Sequence, residues 1–142
     1  MSQIEESASA EALRPNALIH EPENTLPEVA LEHLPPRLRE ATARAGWTQL
    51  MPVQAKAIPY LLTGRDMMIQ SRTGSGKTGA FILPILDRID PKRNECQALV
   101  LVPTRELARQ VAQEAEMLSG DSGARVAAMY GGVRYGPQID AL

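Results

Sequence analysis

The run from Asp66 to Arg88 constrains this chain more than any other stretch. Asp66-Met67-Met68-Ile69-Gln70 is short, apolar at its centre and suited to a buried strand. Ser71-Arg72-Thr73-Gly74-Ser75-Gly76 follows as a glycine-containing turn. From Lys77 the sequence is apolar on nearly every helical side, through Ala80, Phe81, Ile82, Leu83, Ile85 and Leu86. A helix without a polar face belongs inside a larger fold. Pro84 lacks the N–H that a helix interior needs, and predicts a kink. A strand, a tight turn and a buried helix in direct succession call for a layered fold in which a sheet carries helices.

The turn itself carries chemistry. In Thr73-Gly74-Ser75-Gly76-Lys77-Thr78, glycine lets backbone N–H groups turn inward around phosphate oxygens without a Cβ clash. The N-terminus of the following helix adds unpaired N–H groups and the positive end of a dipole. Lys77 is long enough to reach β- and γ-phosphates, and the Thr78 hydroxyl can ligate Mg²⁺. The strict Walker A pattern places a glycine where this chain has Ser71, so it fails by one residue. Order and spacing still predict a nucleotide phosphate site.

The remaining elements fit the same class. Pro35-Pro36 opens a helix to Ala45, with Gly46 as its stop and Leu38, Ala41, Thr42 and Ala45 on one face. Pro52 opens a second helix with a stripe of Val53, Ala57, Tyr60 and Leu61, ended near Gly64. Ala98-Leu99-Val100-Leu101-Val102 is a continuous apolar strand of the parallel-sheet kind. Thr104 caps a helix whose inner stripe is Leu107, Val111, Ala115 and Leu118, and Gly120 ends it. Arg125 to Tyr130 reads as a third strand, Gly131-Gly132 as a turn, and a last helix begins near Pro137. Strand–helix–strand–helix–strand gives an α/β fold with a parallel sheet.

Composition narrows the setting. The chain has 142 residues and a formal net charge of −2, enough for one domain. Residues 1–30 hold six acids and one base, Arg14, a net −5, so residues 31–142 sum to +3. Residues 1–25 read as a disordered acidic tail. No run approaches the roughly 18 apolar residues of a membrane span. A single cysteine, Cys96, excludes an internal disulfide and a zinc site built on several thiolates, which suits a reducing, cytoplasmic setting. Cys96 is expected to be a small, partly buried residue, and Met67 and Met68 to lie in the core.

The P-loop and three other segments together resemble the DEAD-box ATP-dependent RNA helicases of superfamily 2. The family's loop reads A-x-T-G-x-G-K-T, with Ser71 here at the alanine. Gly46-Trp47-Thr48-Gln49-Leu50-Met51-Pro52-Val53-Gln54 looks like its Q motif. It departs at Leu50 and Met51, where the family usually carries Pro and Thr or Ser. Pro103-Thr104-Arg105-Glu106-Leu107-Ala108 looks like motif Ia, and Gly131-Gly132 like the glycine doublet.

The resemblance covers roughly Leu26 onward and implies a RecA-like P-loop NTPase domain using ATP and Mg²⁺. Thr73, Gly74, Ser75, Gly76, Lys77 and Thr78 would hold phosphates and metal, with Lys77 and Thr78 the catalytic pair. Trp47 would stack on adenine and Gln54 would pair with it. Pro103, Thr104, Arg105, Gly131 and Gly132 would line a track for the RNA backbone, where sequence preference is weak.

The chain contains no Asp-Glu-Ala-Asp run and no Ser-Ala-Thr motif, both of which the family uses for hydrolysis and coupling. The second RecA-like domain is also expected elsewhere. Residues 26–142 are therefore expected to be the front part of the first domain of a longer enzyme, with an incomplete sheet and an uncovered apolar edge. Two other readings stay open on sequence alone. One is a short non-hydrolysing module that binds nucleotide or RNA; the other is a different P-loop phosphotransferase, such as a small nucleoside kinase.

Overall fold

The computed structural model describes residues 23–134 and 136–140. Most of the expected acidic tail, residues 1–22, lies outside the described residues. Four longer helices carry the fold: α1 (Pro36–Arg44), α2 (Pro52–Leu62), α3 (Lys77–Arg88) and α4 (Arg105–Ser119). A short α5 (Gly136–Asp140) follows, and single 3₁₀ turns lie at Leu31–His33 and Gly120–Ser122.

Local chemistry sets these boundaries. Proline stands at the first position of α1 and of α2, where its missing N–H removes no helical bond. Thr104 caps α4 by accepting from the Leu107 N–H at 3.2 Å. α3 runs through Pro84, which is buried within it. Met51 heads α2 but has no side-chain oxygen for a cap. Gln54, three residues on, supplies the return half alone, its Oε1 accepting from the Met51 N–H at 2.9 Å. Replacing Met51 with Thr would complete the reciprocal pair. Met51→Thr is expected to raise the unfolding free energy by about 1 kcal/mol in urea titrations. A lower midpoint would mean that the lost apolar contact of Met51 outweighs the cap.

α3 lies at the centre of the packing, against α1, α2 and α4. Leu38, Ala41, Ile58, Ile82, Leu83, Leu86, Val111, Ala115 and Leu118 form its core, joined by Leu34 from before α1. The expected faces of α1 and α4 are the ones buried. On α2 the stripe is rotated: Gln54, Ala57, Ile58 and Tyr60 are buried, while Val53 and Leu61 are only partly so. Gln54 is drawn inward by hydrogen bonds that satisfy its amide.

Three arginines reach across to carbonyls at or just beyond helix C-termini. Arg88 of α3 donates to Leu61 O of α2 at 3.0 Å, and Arg37 of α1 to Ile89 O just after α3 at 2.8 Å. Arg44 of α1 donates to Leu118 O and Ser119 O of α4 at 3.3 and 3.2 Å. Each adds a donor at helix-end carbonyls and places positive charge at the negative end of a helix dipole. The segment ahead of α1 is tied to α2 by Val29 N to Ala55 O at 3.0 Å and Leu26 N to Tyr60 Oη at 2.8 Å.

The expected strands differ. Residues 66–70, 98–102 and 125–130 carry no regular secondary structure, and no strand pairing occurs among the described residues. A strand exists only with a neighbour about 4.8 Å away to take its N–H and C=O groups. Instead, residues 96–105 and 123–131 line one open groove of about 640 Å³. Val102, Ala124 and Val126 pack on the helical core, while Leu99 and Leu101 face out at 76% and 85% exposure. Met67 and Met68 are not in the core; Met68 is 99% exposed. Cys96 is exposed rather than partly buried. The expected incomplete sheet is not formed among the described residues; the apolar Leu99 and Leu101 are left exposed on unpaired backbone.

Candidate functional site

The loop between Gln70 and α3 is shaped by its own atoms. Gly74 and Gly76 adopt positive φ, 77° and 86°, and Gly76 forms the left-handed residue ahead of α3. No side chain caps that helix, so its leading N–H groups remain available to an anion. The Lys77 ammonium folds back over the loop and donates to Ser71 O and Arg72 O, both at 2.6 Å. Among the described residues, Ser75 Oγ is the buried side-chain polar atom without a hydrogen-bond partner. A buried hydroxyl left unpaired is costly and fits an acceptor that arrives from outside, such as a phosphate oxygen. Glycine turn, free helix N-terminus, ammonium and orphan hydroxyl form a donor set suited to a nucleotide's phosphates, and the next residue, Thr78, offers an oxygen of the kind a hard cation takes.

The residues of the Q-motif-like segment converge on this loop. Gln54 is buried, and its Nε2 donates to Gly76 O at 3.0 Å. A Cβ on Gly76 would stand 2.6 Å from that nitrogen. The half-buried Trp47 ring closes over the first turn of α3. A Cβ on Gly79 would fall 2.4 Å from Trp47 Cη2 and 2.9 Å from Gln54 Nε2. Glycine at 79 is therefore required for the close approach of ring, amide and helix. In the sequence, the only signal at this position is a glycine inside an apolar helix.

Pro103, Thr104, Arg105, Gly131 and Gly132 are all exposed. Arg105 and Gly132 are brought together: a Cβ on Gly132 would lie 3.8 Å from Arg105 Nη1. Arg105 donates to its neighbour Glu106 at 2.7 Å, an exposed pair that holds the Glu106 carboxyl below its ordinary value. Such a pair is weak and gives way readily to another anion. The glycine turn is braced by residues the sequence did not single out. Arg109 on α4 donates to Tyr130 Oη at 2.9 Å and stacks on its ring at 4.8 Å. Gln138 of α5 clamps the Tyr130 backbone, accepting from its N–H at 2.9 Å and donating to its C=O at 3.3 Å.

Glu114 was also missed. It stands on α4 beside the inner stripe and is half-buried. Burial pushes its carboxyl up, and the Thr78 side chain opposes the rise. A carboxylate flanked by Val111, Ala115 and Leu118 was the available sequence signal.

Residues 51–142 match the DEAD/DEAH box helicase family. The chain is 50% identical over 104 residues to the ATP-dependent RNA helicase DeaD of Klebsiella pneumoniae, covering 72% of this chain and 16% of that protein. It is 45% identical over 106 residues to the ATP-dependent RNA helicase CshA of Listeria monocytogenes, covering 75% of this chain and 20% of that one. The crystal structure of a DEAD box protein from the hyperthermophile Methanococcus jannaschii superposes with a TM-score of 0.74 at 37% identity, over 81% of this chain and 32% of that chain. The RNA helicase Prp28 from Chaetomium thermophilum, bound to ADP, gives 0.69 at 37% identity, over 85% of this chain and 30% of that chain.

The chain belongs to the DEAD/DEAH box helicase family and shares the RecA-like P-loop fold of these structures. It spans 16% to 20% of the length of these curated relatives. Among the described residues, no helix is long and apolar enough to cross a membrane.

Proposed function

We propose that this chain supplies the ATP-binding face and part of the RNA track of a cytoplasmic ATP-dependent RNA helicase. Residues 26–142 would form the front part of its first RecA-like domain. The observation that carries this reading is the phosphate loop, with Lys77 folded over it and a buried Ser75 hydroxyl unsatisfied. Thr73, Gly74, Ser75, Gly76 and Lys77 bind the phosphates of ATP, and Thr78 offers its oxygen to Mg²⁺. A cation held there would supply positive charge against the negative charge that develops during phosphoryl transfer. Trp47 and Gln54 take the adenine. The two bonds Gln54 makes to Met51 and Gly76 use half of its carboxamide's capacity, and an adenine edge needs one donor and one acceptor more. Gln54 would thereby join base recognition to the loop that holds the phosphates.

Pro103, Thr104, Arg105, Gly131 and Gly132 face the RNA backbone. Unwinding itself needs a second RecA-like domain to close over ATP and RNA, and the acid pair for hydrolysis, neither of which lies in these residues. Fluorescence anisotropy with labelled single-stranded RNA tests the track. Affinity should fall steeply with salt, and Arg105→Ala should reduce the slope of log affinity against log salt by about 0.7, the value of one single-strand phosphate contact. Salt-independent affinity, or an unchanged slope in the variant, would remove Arg105 from the interface.

A further inference from the structure

Arg109 and Tyr130 form a side-chain pair that belongs to none of the motifs described above. Arg109 Nε donates to Tyr130 Oη at 2.9 Å, and the guanidinium lies over the ring, 4.8 Å from its centroid. The ring stands on a held backbone. Gln138 bonds the N–H and the C=O of Tyr130, and its Nε2 also donates to Arg134 O at 3.3 Å, so one side chain ties both flanks of the Gly131-Gly132 turn. α4 thus meets that turn twice, with Arg105 beside Gly132 and Arg109 at Tyr130. Arg105 and Arg109 are four residues apart on α4, on one face and about 6 Å apart along its axis.

A guanidinium has five N–H donors, and the bond to Tyr130 uses one of them. Arg109 is exposed, and among the described residues no carboxylate pairs with it. Glu106, which feels its charge, bonds to Arg105 instead. Stacking on Tyr130 orders this long side chain before any ligand arrives, which lowers the entropy cost of binding. The remaining donors form a rigid, permanently charged fork that suits phosphate oxygens. A row of such groups is how a single-strand site follows a backbone. We infer that Arg109 is a second phosphate contact of the RNA track, held in place by Tyr130 and set one helical turn beyond Arg105. The inference rests on the proposed reading of Arg105, Gly131 and Gly132 as that track.

The test measures binding of labelled single-stranded RNA to the complete protein by fluorescence anisotropy over a range of salt concentrations. Arg109→Ala should lower the slope of log affinity against log salt by about 0.7, the share of one single-strand phosphate. Arg109→Gln keeps a hydrogen-bond donor but no charge, and should lower it equally. Arg109→Lys keeps the charge without the fork and should recover most of the slope. In an Arg105→Ala background, Arg109→Ala should take away about 0.7 more, because the two contacts are separate. The slope does not depend on the fraction of protein that is folded, so a variant that folds poorly still reports it.

An unchanged slope in Arg109→Ala overturns the inference, even if affinity falls, because that outcome marks a brace for the turn. So does an Arg109→Lys variant as impaired as Arg109→Ala, which makes the fork on Tyr130 the whole role. No further fall in the Arg105→Ala background overturns it too, since Arg109 would then act only through Arg105. Arg105→Ala separates the two levels. If it leaves the slope unchanged, the reading of the track itself fails. If it lowers the slope while Arg109→Ala does not, only the role of Arg109 fails.

Discussion

Lys77→Ala in the complete protein is expected to lower RNA-stimulated ATP turnover by at least about 100-fold, which corresponds to about 2.7 kcal/mol of transition-state stabilisation. Phosphoryl transfer spreads negative charge over the oxygens of the moving group, and catalysis rests on fixed positive groups placed beforehand. On the proposed reading Lys77 is such a group. Two carbonyls of its own loop hold the ammonium at 2.6 Å, so its position is set before a nucleotide arrives. Alanine removes the charge and also the two bonds that close the loop from Ser71 to Lys77.

Phosphate release at saturating RNA and ATP measures the effect. Thermal melting controls for the loop, whose lost bonds should cost on the order of 1–2 kcal/mol in total. Turnover within threefold of the parent would sink the assignment of Lys77. A loss of turnover matched by a comparable loss of folded protein would assign it to the loop's structure instead.

The parts of this fold that were legible in the sequence are those whose cause is local. Pro36, Pro52 and Thr104 mark helix starts because ring geometry and a capping oxygen act within one turn, and the helices begin where these residues say. The phosphate loop was legible for the same reason. What failed depended on distant partners. The hydropathy of Met67-Met68-Ile69 is that of a buried strand, yet burial needs a neighbour on each side, and Met68 stands almost fully in solvent. The stripe expected for α2 left Gln54 out; its burial follows from Gly76, 22 residues away in sequence, whose carbonyl takes its amide.

The arginine bridges were invisible because their acceptors are backbone carbonyls, which carry no residue signature. Glu114 was hidden by the opposite bias: charges on an amphipathic helix are usually read as solvated. Of the rival readings, the nucleoside kinase loses ground to the match of residues 51–142 with DEAD/DEAH box helicases.

Leu83→Ala is expected to destabilise the protein by about 2–5 kcal/mol, a large share of the total for a domain of this size. Leu83 is wholly buried on the central helix α3, in one cluster with Leu38, Ile58 and Leu118. These come from α1, α2 and α4, so the cavity would open where all four longer helices meet. Met68→Ala removes a side chain of similar size from a site with no packing to lose, and should stay within about 0.5 kcal/mol of the parent. Urea titrations of both variants decide between core and surface. A small loss at Leu83 would contradict the packing of α3, and a large loss at Met68 would mean that residues 66–70 are covered in solution.

The cavity also bears on the site. Leu83 lies six residues beyond Lys77, about 9 Å along the helix axis, and the phosphate loop is fixed only as firmly as α3. On the proposed reading ATP binds the folded state alone, so nucleotide at 100 times its Kd should restore about 2.7 kcal/mol to Leu83→Ala. That recovery should be absent from a Leu83→Ala, Lys77→Ala double variant, which ties the helix core to the loop it carries.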